Sequence, residues 1–167
     1  MAIHRRQEAL MQPIEWGNCL RVGDDHIDND HRHLIAMANR LIAPEARTRT
    51  DLVLKVLDEL IAYTQEHFGR EEKYMEAVGF PGLVEHREKH RRLCERAVEY
   101  RRSMQNQPRL WHGDTLFAFL ADWLLTHIAN EDRKIGDHVR AHGLEEKGRA
   151  ALAGSGLMPP ASSLRHH

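Results

Sequence analysis

The chain has 167 residues, 41% hydrophobic and 29% charged, with a formal net charge of -1; this composition fits one globular domain with a sizeable core. No basic patch dominates, so nothing points to nucleic acid or an anionic surface, and no apolar run is long enough to span a bilayer. Thirteen histidines stand out, because histidine is the commonest metal ligand.

The chain opens on an expected irregular arm, residues 1–25. Its charged start, Met1-Ala2-Ile3-His4-Arg5-Arg6, is not followed by an apolar stretch, so no signal peptide is expected. Cys19 and Cys94 form no metal-spacing motif. Two reduced thiols suit a cytoplasmic protein.

Four stretches then carry a helical period, and strand signals are weak. The first helix is expected from an Asp28 cap to about Leu41, with Leu34, Ile35, Ala38, Leu41 and Ile42 on one face and Pro44 as its stop. The second is expected from Thr50-Asp51 to Val78, with Gly79 as its stop. Gly69 inside it should cost about 1 kcal/mol against alanine. The third should start at Pro81 and end near Met104, before Asn106-Gln107-Pro108. The fourth should run from an Asp114 cap to about His142. Short connections favour an all-α, antiparallel up-down four-helix bundle. One domain is expected over residues 1–148, with the bundle at about 26–142. Residues 149–167, rich in Ala, Gly, Ser and Pro, read as a flexible tail that includes the final Arg165-His166-His167.

Each helix places metal-capable residues on its apolar stripe. His31 falls in step with Leu34 and Ile35. His67 and Glu71 are four apart, as are His86 and His90, so each pair projects from one face. His127 follows Leu120, Trp123 and Leu124, with Glu131 and Asp132 one turn later. A single such histidine is ordinarily a hydrogen-bonded core residue. Five histidines and two carboxylates converging on one core are another matter, since each unpaired buried polar group costs about 1–3 kcal/mol. A cation partners all of them at once. Seven ligands exceed one tetrahedral zinc and suit two octahedral ions bridged by carboxylates; mixed imidazole and carboxylate donors fit iron, zinc or manganese.

These residues carry a resemblance to a known family. Trp16, Leu20-Arg21-Val22-Gly23 and Ile27-Asp28-Asn29-Asp30-His31 are similar to the hemerythrin N-terminal segment. His67-Phe68-Gly69-Arg70-Glu71-Glu72-Lys73-Tyr74-Met75 resembles the family's His-Phe-x-x-Glu-Glu-x-x-Met. Gly79-Phe80-Pro81 with His86 and His90, and Trp123-Leu124-Leu125-Thr126-His127-Ile128 with Asp132, match as well. Asp30 stands where the family usually has Gln, a change expected to alter the surroundings of His31.

The resemblance implies two iron ions with an oxo or hydroxo bridge and reversible O2 binding. It implies that His86, His90 and His127 hold one iron, that His31 and His67 hold the other, and that Glu71 and Asp132 bridge both. The second iron would then have an open position for O2. Leu34, Phe68, Trp123 and Leu124 are expected to line a dry O2 pocket. Ferritin-like di-iron enzymes use four carboxylates and two histidines; five neutral imidazoles argue for carriage over oxygen activation. The other readings are an O2 or redox sensor acting on a separate, unidentified protein partner, and a di-iron peroxidase or nitric-oxide-handling enzyme. His4, His26, His33, His112, His138 and His142 fall off the stripes and read as surface residues, and Arg87 to Arg92 as a solvated face.

One expectation separates two candidate ligands. A regular helix, at about 100° per residue, pairs His127 with Glu131. The family pattern selects Asp132. Leu116, Leu120, Trp123 and Leu124 cluster around the direction of His127, whereas Ile135 and Val139 cluster with Asp132, rotated by about one residue. A π-bulge produces such a slip. An i→i+5 hydrogen bond is therefore expected between His127 and Ile135, with Asp132 facing the metals and Glu131 turned away.

Overall fold

The computed structural model describes residues 12–108 and 113–154, apart from the Arg47 side chain. Among these the chain is all-α. Helix α1 spans Asp25–Asn39, α2 Thr50–Val78, α3 Leu83–Asn106 and α4 Gly113–His127. A π-helical segment, Ile128–Asp132, joins α4 to α5, Arg133–His142, and α6 follows at Glu145–Leu152. Short 3-10 turns lie at Asn18–Leu20, Arg40–Ile42 and Pro44–Arg47. His4, His112 and the tail beyond residue 154 lie outside the described residues.

Buried apolar residues form two clusters, and each long element passes from one to the other. α1 runs from Ile27 in the smaller cluster to Leu34 and Ala38 in the larger. α2 runs back, from Val53 and Leu60 to Met75 and Val78. α3 runs from Leu83, packed on the smaller cluster, to Met104 in the larger. The α4–α5 rod returns from Leu116 and Leu124 to Ile135 and Val139. This is the expected antiparallel up-down bundle. His31, Glu71, His86, His90 and Asp132 all fall at the crossover, a polar layer between two apolar ones.

The helix ends show where local chemistry prevails over pattern. α2 ends at Gly79, whose φ of 65° suits the glycine stop. α1 starts earlier than the expected Asp28 cap. Asp24 caps it, accepting from the His26 and Ile27 amides at 3.0 and 3.3 Å. Asp28 instead reaches back to the Val22 amide at 2.7 Å and ties the arm to the helix. The arm is held again at Ile14, which exchanges two hydrogen bonds with the Asn39 side chain. At α4, Asp114 lies in the first turn, one residue inside a helix that begins at Gly113.

The expected tail boundary at residue 149 is corrected. It divides α6, whose Leu152 is fully buried in the smaller cluster. Gly148, the last residue of the expected domain, is a contact residue. A methyl there would lie 2.3 Å from the Tyr74 ring.

Gly136 is tighter still. A Cβ at this position would sit 2.0 Å from the Val22 carbonyl oxygen. That neighbour is backbone held on both sides, because Arg140 donates to the same oxygen at 2.8 Å. Gly136→Ala should therefore destabilise the fold by about 3 kcal/mol, the upper range for overpacking. Gly69→Ala meets no atom and should be neutral or stabilising by up to about 1 kcal/mol. Urea denaturation of both variants checks the pair; equal midpoints would contradict it.

Candidate metal centre

The five histidine rings fall into two groups. His31 and His67 lie 4.8 Å apart by ring centroid. His86 lies 4.4 Å from His90 and 5.0 Å from His127, with His90 and His127 5.2 Å apart. Glu71 and Asp132 stand between the groups, each 0% exposed. Asp132 places Oδ1 at 3.1 Å from His127 Nε2 and 3.2 Å from His86 Nε2, and Oδ2 at 3.2 Å from His31 Nε2. Glu71 places Oε2 at 3.1 Å from His90 Nε2 and 3.5 Å from His86 Nε2, and Oε1 at 4.0 Å from His31 Nε2. Asp132 thus offers one oxygen to each histidine group, and Glu71 also faces both, with Oε2 at 3.9 Å from His67 Nε2 as well; a bridging ligand requires such a position.

The helix register that delivers Asp132 is the slipped one. The Arg133 amide donates to the Ile128 carbonyl, an i→i+5 bond inside the π segment. Glu131 turns outward and accepts from Lys89 and Lys134 at 2.8 and 2.9 Å.

These residues form two overlapping groups able to hold a metal ion: Glu71, His86, His90, His127 and Asp132, and His31, His67, Glu71 and Asp132. Residues 22–139 match the family described as Hemerythrin HHE cation binding domain. The chain belongs to the hemerythrin family. It is 35% identical to a bacteriohemerythrin of Stenotrophomonas maltophilia over 132 residues, 79% of this chain and 85% of that protein. It is 33% identical to a bacteriohemerythrin of Pseudomonas aeruginosa over 136 residues, 81% and 87% of the two chains. It is 30% identical to a myohemerythrin of Riftia pachyptila over 122 residues, 73% and 90%. Hemerythrins bind O2 at a di-iron centre, and the cluster here is able to hold metal ions.

The donor set fits such a centre. The Nε2 atoms of His31, His86, His90 and His127 and both oxygens of Glu71 and of Asp132 are buried without a hydrogen-bond partner. Orphaned groups of this kind cost about 1–3 kcal/mol each, and here they all point inward. Two cations would satisfy them together.

The electrostatics agree. Burial pushes the His86 imidazole down, but the Asp132 and Glu71 carboxylates beside it outweigh this and raise it to about 9. In the metal-free hemerythrin domain, a proton therefore stands in for the cation. Metal uptake at neutral pH must displace it, and apparent metal affinity should rise with pH up to about 9. The same raised value stabilises the metal-free fold below pH 6.5 and is lost as pH rises through 9. Proton release on metal addition, followed with an indicator dye in weak buffer, checks this. A pH-independent affinity between 7 and 9 would contradict it.

The expected pocket residues distribute unevenly. Leu34 and Leu124 are buried in the larger apolar cluster. Phe68 stacks on His90 at 3.6 Å and 5°, and Trp123 lies 6.2 Å from His127. Both rings thus pack on the three-histidine group, and Phe68 is 5.6 Å from His67. A groove lined by Lys89, Arg92, Trp123 and His127 opens beside that group, leaving His127 7% exposed where His31 is 0%. The two-histidine side is the drier one.

Three outcomes differ from the sequence reading. Asp30 bonds to His67, not to His31; His31 Nδ1 has no partner among the described residues. His33 is buried with its ring 4.4 Å from Tyr63, because α1 packs on more than its main stripe. Tyr63, Arg70 and Glu72 touch the ligand set or its supports and were not singled out. Spacings of three and four around His67 place Tyr63 and Arg70 beside it on α2, which was the available signal. His26 is partly exposed and His142 exposed, as expected, while His138 is partly buried against the Val78 carbonyl.

Proposed function

We propose that this domain binds O2 reversibly for carriage, storage or delivery, with His86, His90 and His127 holding one iron and His31 and His67 the other. Glu71 and Asp132 would hold both irons, with an oxo or hydroxo group completing the centre. The observation that carries this reading is the division of five imidazoles, three and two, about two fully buried carboxylates. When bound, the iron pair supplies the electrons that reversible O2 binding needs.

The protein's own residues do the rest. Three imidazoles saturate one side, while two leave room for a ligand on the other. Leu34 and Leu124, with Phe68 and Trp123, keep water from the centre, and a dry site strengthens the hold on charge inside it. Five neutral imidazoles against two carboxylates leave the ligand set weakly anionic, which favours stopping at bound O2 over oxidising a substrate. Free Cys19 and Cys94 suit a reducing, cytoplasmic setting. No helix among the described residues is long and apolar enough to cross a membrane.

An oxygen-electrode titration tests the reading. Fully reduced protein should take up one O2 per two irons and stop, even with excess reductant present. Continued consumption would make the protein a catalyst of O2 reduction instead.

A further inference from the structure

One ligand histidine, His67, is backed by a carboxylate that is both buried and clamped. Asp30 on α1 is 5% exposed and faces His67 across the α1–α2 contact. Its Oδ2 lies 3.3 Å from His67 Nδ1. The carboxylate also accepts from Arg70 Nε at 2.8 Å, from Arg70 Nη2 at 3.1 Å and from the Tyr63 hydroxyl at 2.7 Å. Arg70 and Tyr63 thus hold the Asp30 carboxylate in one place at a buried site.

The three-histidine side offers a comparison. His90 Nδ1 meets Glu72 Oε1 at 3.0 Å, and Arg87 Nε donates to Glu72 at 3.1 Å. Glu72 is 26% exposed and Arg87 41%, so water screens that pair. On the two-histidine side, His31 Nδ1 has no partner among the described residues, so Asp30 is the anion that orients a ring there.

We infer that Asp30, clamped by Arg70 and Tyr63, is a positioning residue: it accepts a hydrogen bond from His67 Nδ1–H, fixes the ring with Nε2 toward the metal, and makes this imidazole a stronger donor. A carboxylate behind a ligating histidine sets its tautomer and raises its basicity, and its loss typically weakens metal binding by about 10–100-fold. A stronger donor stabilises the more oxidised metal, so Asp30 lowers the reduction potential of the half-site that keeps room for a ligand. This rests on the metal assignment proposed above.

The test uses the full chain with cobalt(II) as probe. Wild type should bind two cobalt ions and show exchangeable, paramagnetically shifted imidazole N–H proton signals. Asp30→Asn keeps the shape but removes the charge. It should weaken one of the two binding steps by about 10–100-fold, spare the other, and move one N–H signal. In the di-iron form it should raise the midpoint potential. Glu72→Gln should affect the opposite step, and less. Tyr63→Phe, a smaller change that keeps Asp30, should move the same N–H signal as Asp30→Asn and covers the case of a misfolded Asp30 variant. Unchanged affinity and potential in Asp30→Asn, or equal weakening of both steps, would overturn the inference. Wild type binding fewer than two cobalt ions would overturn the metal assignment itself.

Discussion

Asp132→Ala is expected to abolish stable binding of the metal pair, while Glu131→Ala should leave it nearly intact. Asp132 touches both histidine groups through different oxygens, at 3.1 to 3.2 Å, so its loss removes a donor from each metal. Losing an outer partner of a ligand already costs about 10–100-fold in affinity; losing a bridging ligand should cost more than about 100-fold. Glu131 pairs with Lys89 and Lys134, away from the histidines. Such partly exposed pairs contribute about 0–1 kcal/mol, so its loss should move stability slightly and iron content not at all. Iron analysis of the two purified variants checks the contrast. Iron retained in Asp132→Ala and lost in Glu131→Ala would put the helix register one residue back.

His86→Ala lowers thermal stability through the metal. His86 Nε2 lies 3.2 Å from Asp132 and 3.5 Å from Glu71, so it belongs to the three-histidine group yet touches both carboxylates. A ligand held about 1,000-fold above its dissociation constant contributes about 4 kcal/mol. In a chain of this size that is about 8–16 °C of melting temperature. The loaded variant should fall short of loaded wild type by about this margin. After chelation of both, the gap should narrow, because the metal contribution is gone from each. A gap of the same size before and after chelation would mean that His86 acts by packing alone.

How far the sequence reached depends on whether the deciding information is local. Helix α2 was legible from end to end, since Thr50 and Gly79 mark its limits and one helical stripe runs between them through His67 and Glu71. The slip at Asp132 was legible because the family resemblance selects that residue, and the apolar phase of Ile135 and Val139, which disagrees with that of Leu120 and Leu124, supports a rotation within the helix. The donor set was legible because spacings of four put pairs on one face. Features set by contact between distant segments were not. Asp30 was read with its chain neighbour His31, but its partner lies on another helix. Leu152 reads as tail because one leucine carries no period; only its burial in the smaller apolar cluster explains it. Asp24 and Asp28 are both good caps, and what separated them was the Val22 amide, which takes Asp28 for the arm.

Reversible O2 binding is proposed at a centre built from His31, His67, Glu71, His86, His90, His127 and Asp132. The most direct measurement is the optical spectrum of the fully reduced, iron-loaded protein through a cycle of air and vacuum. The account predicts a visible charge-transfer band that appears in air, disappears under vacuum and returns over repeated cycles, with two irons and no haem in each chain. A spectrum that does not change in air, or changes once and does not reverse, would contradict it.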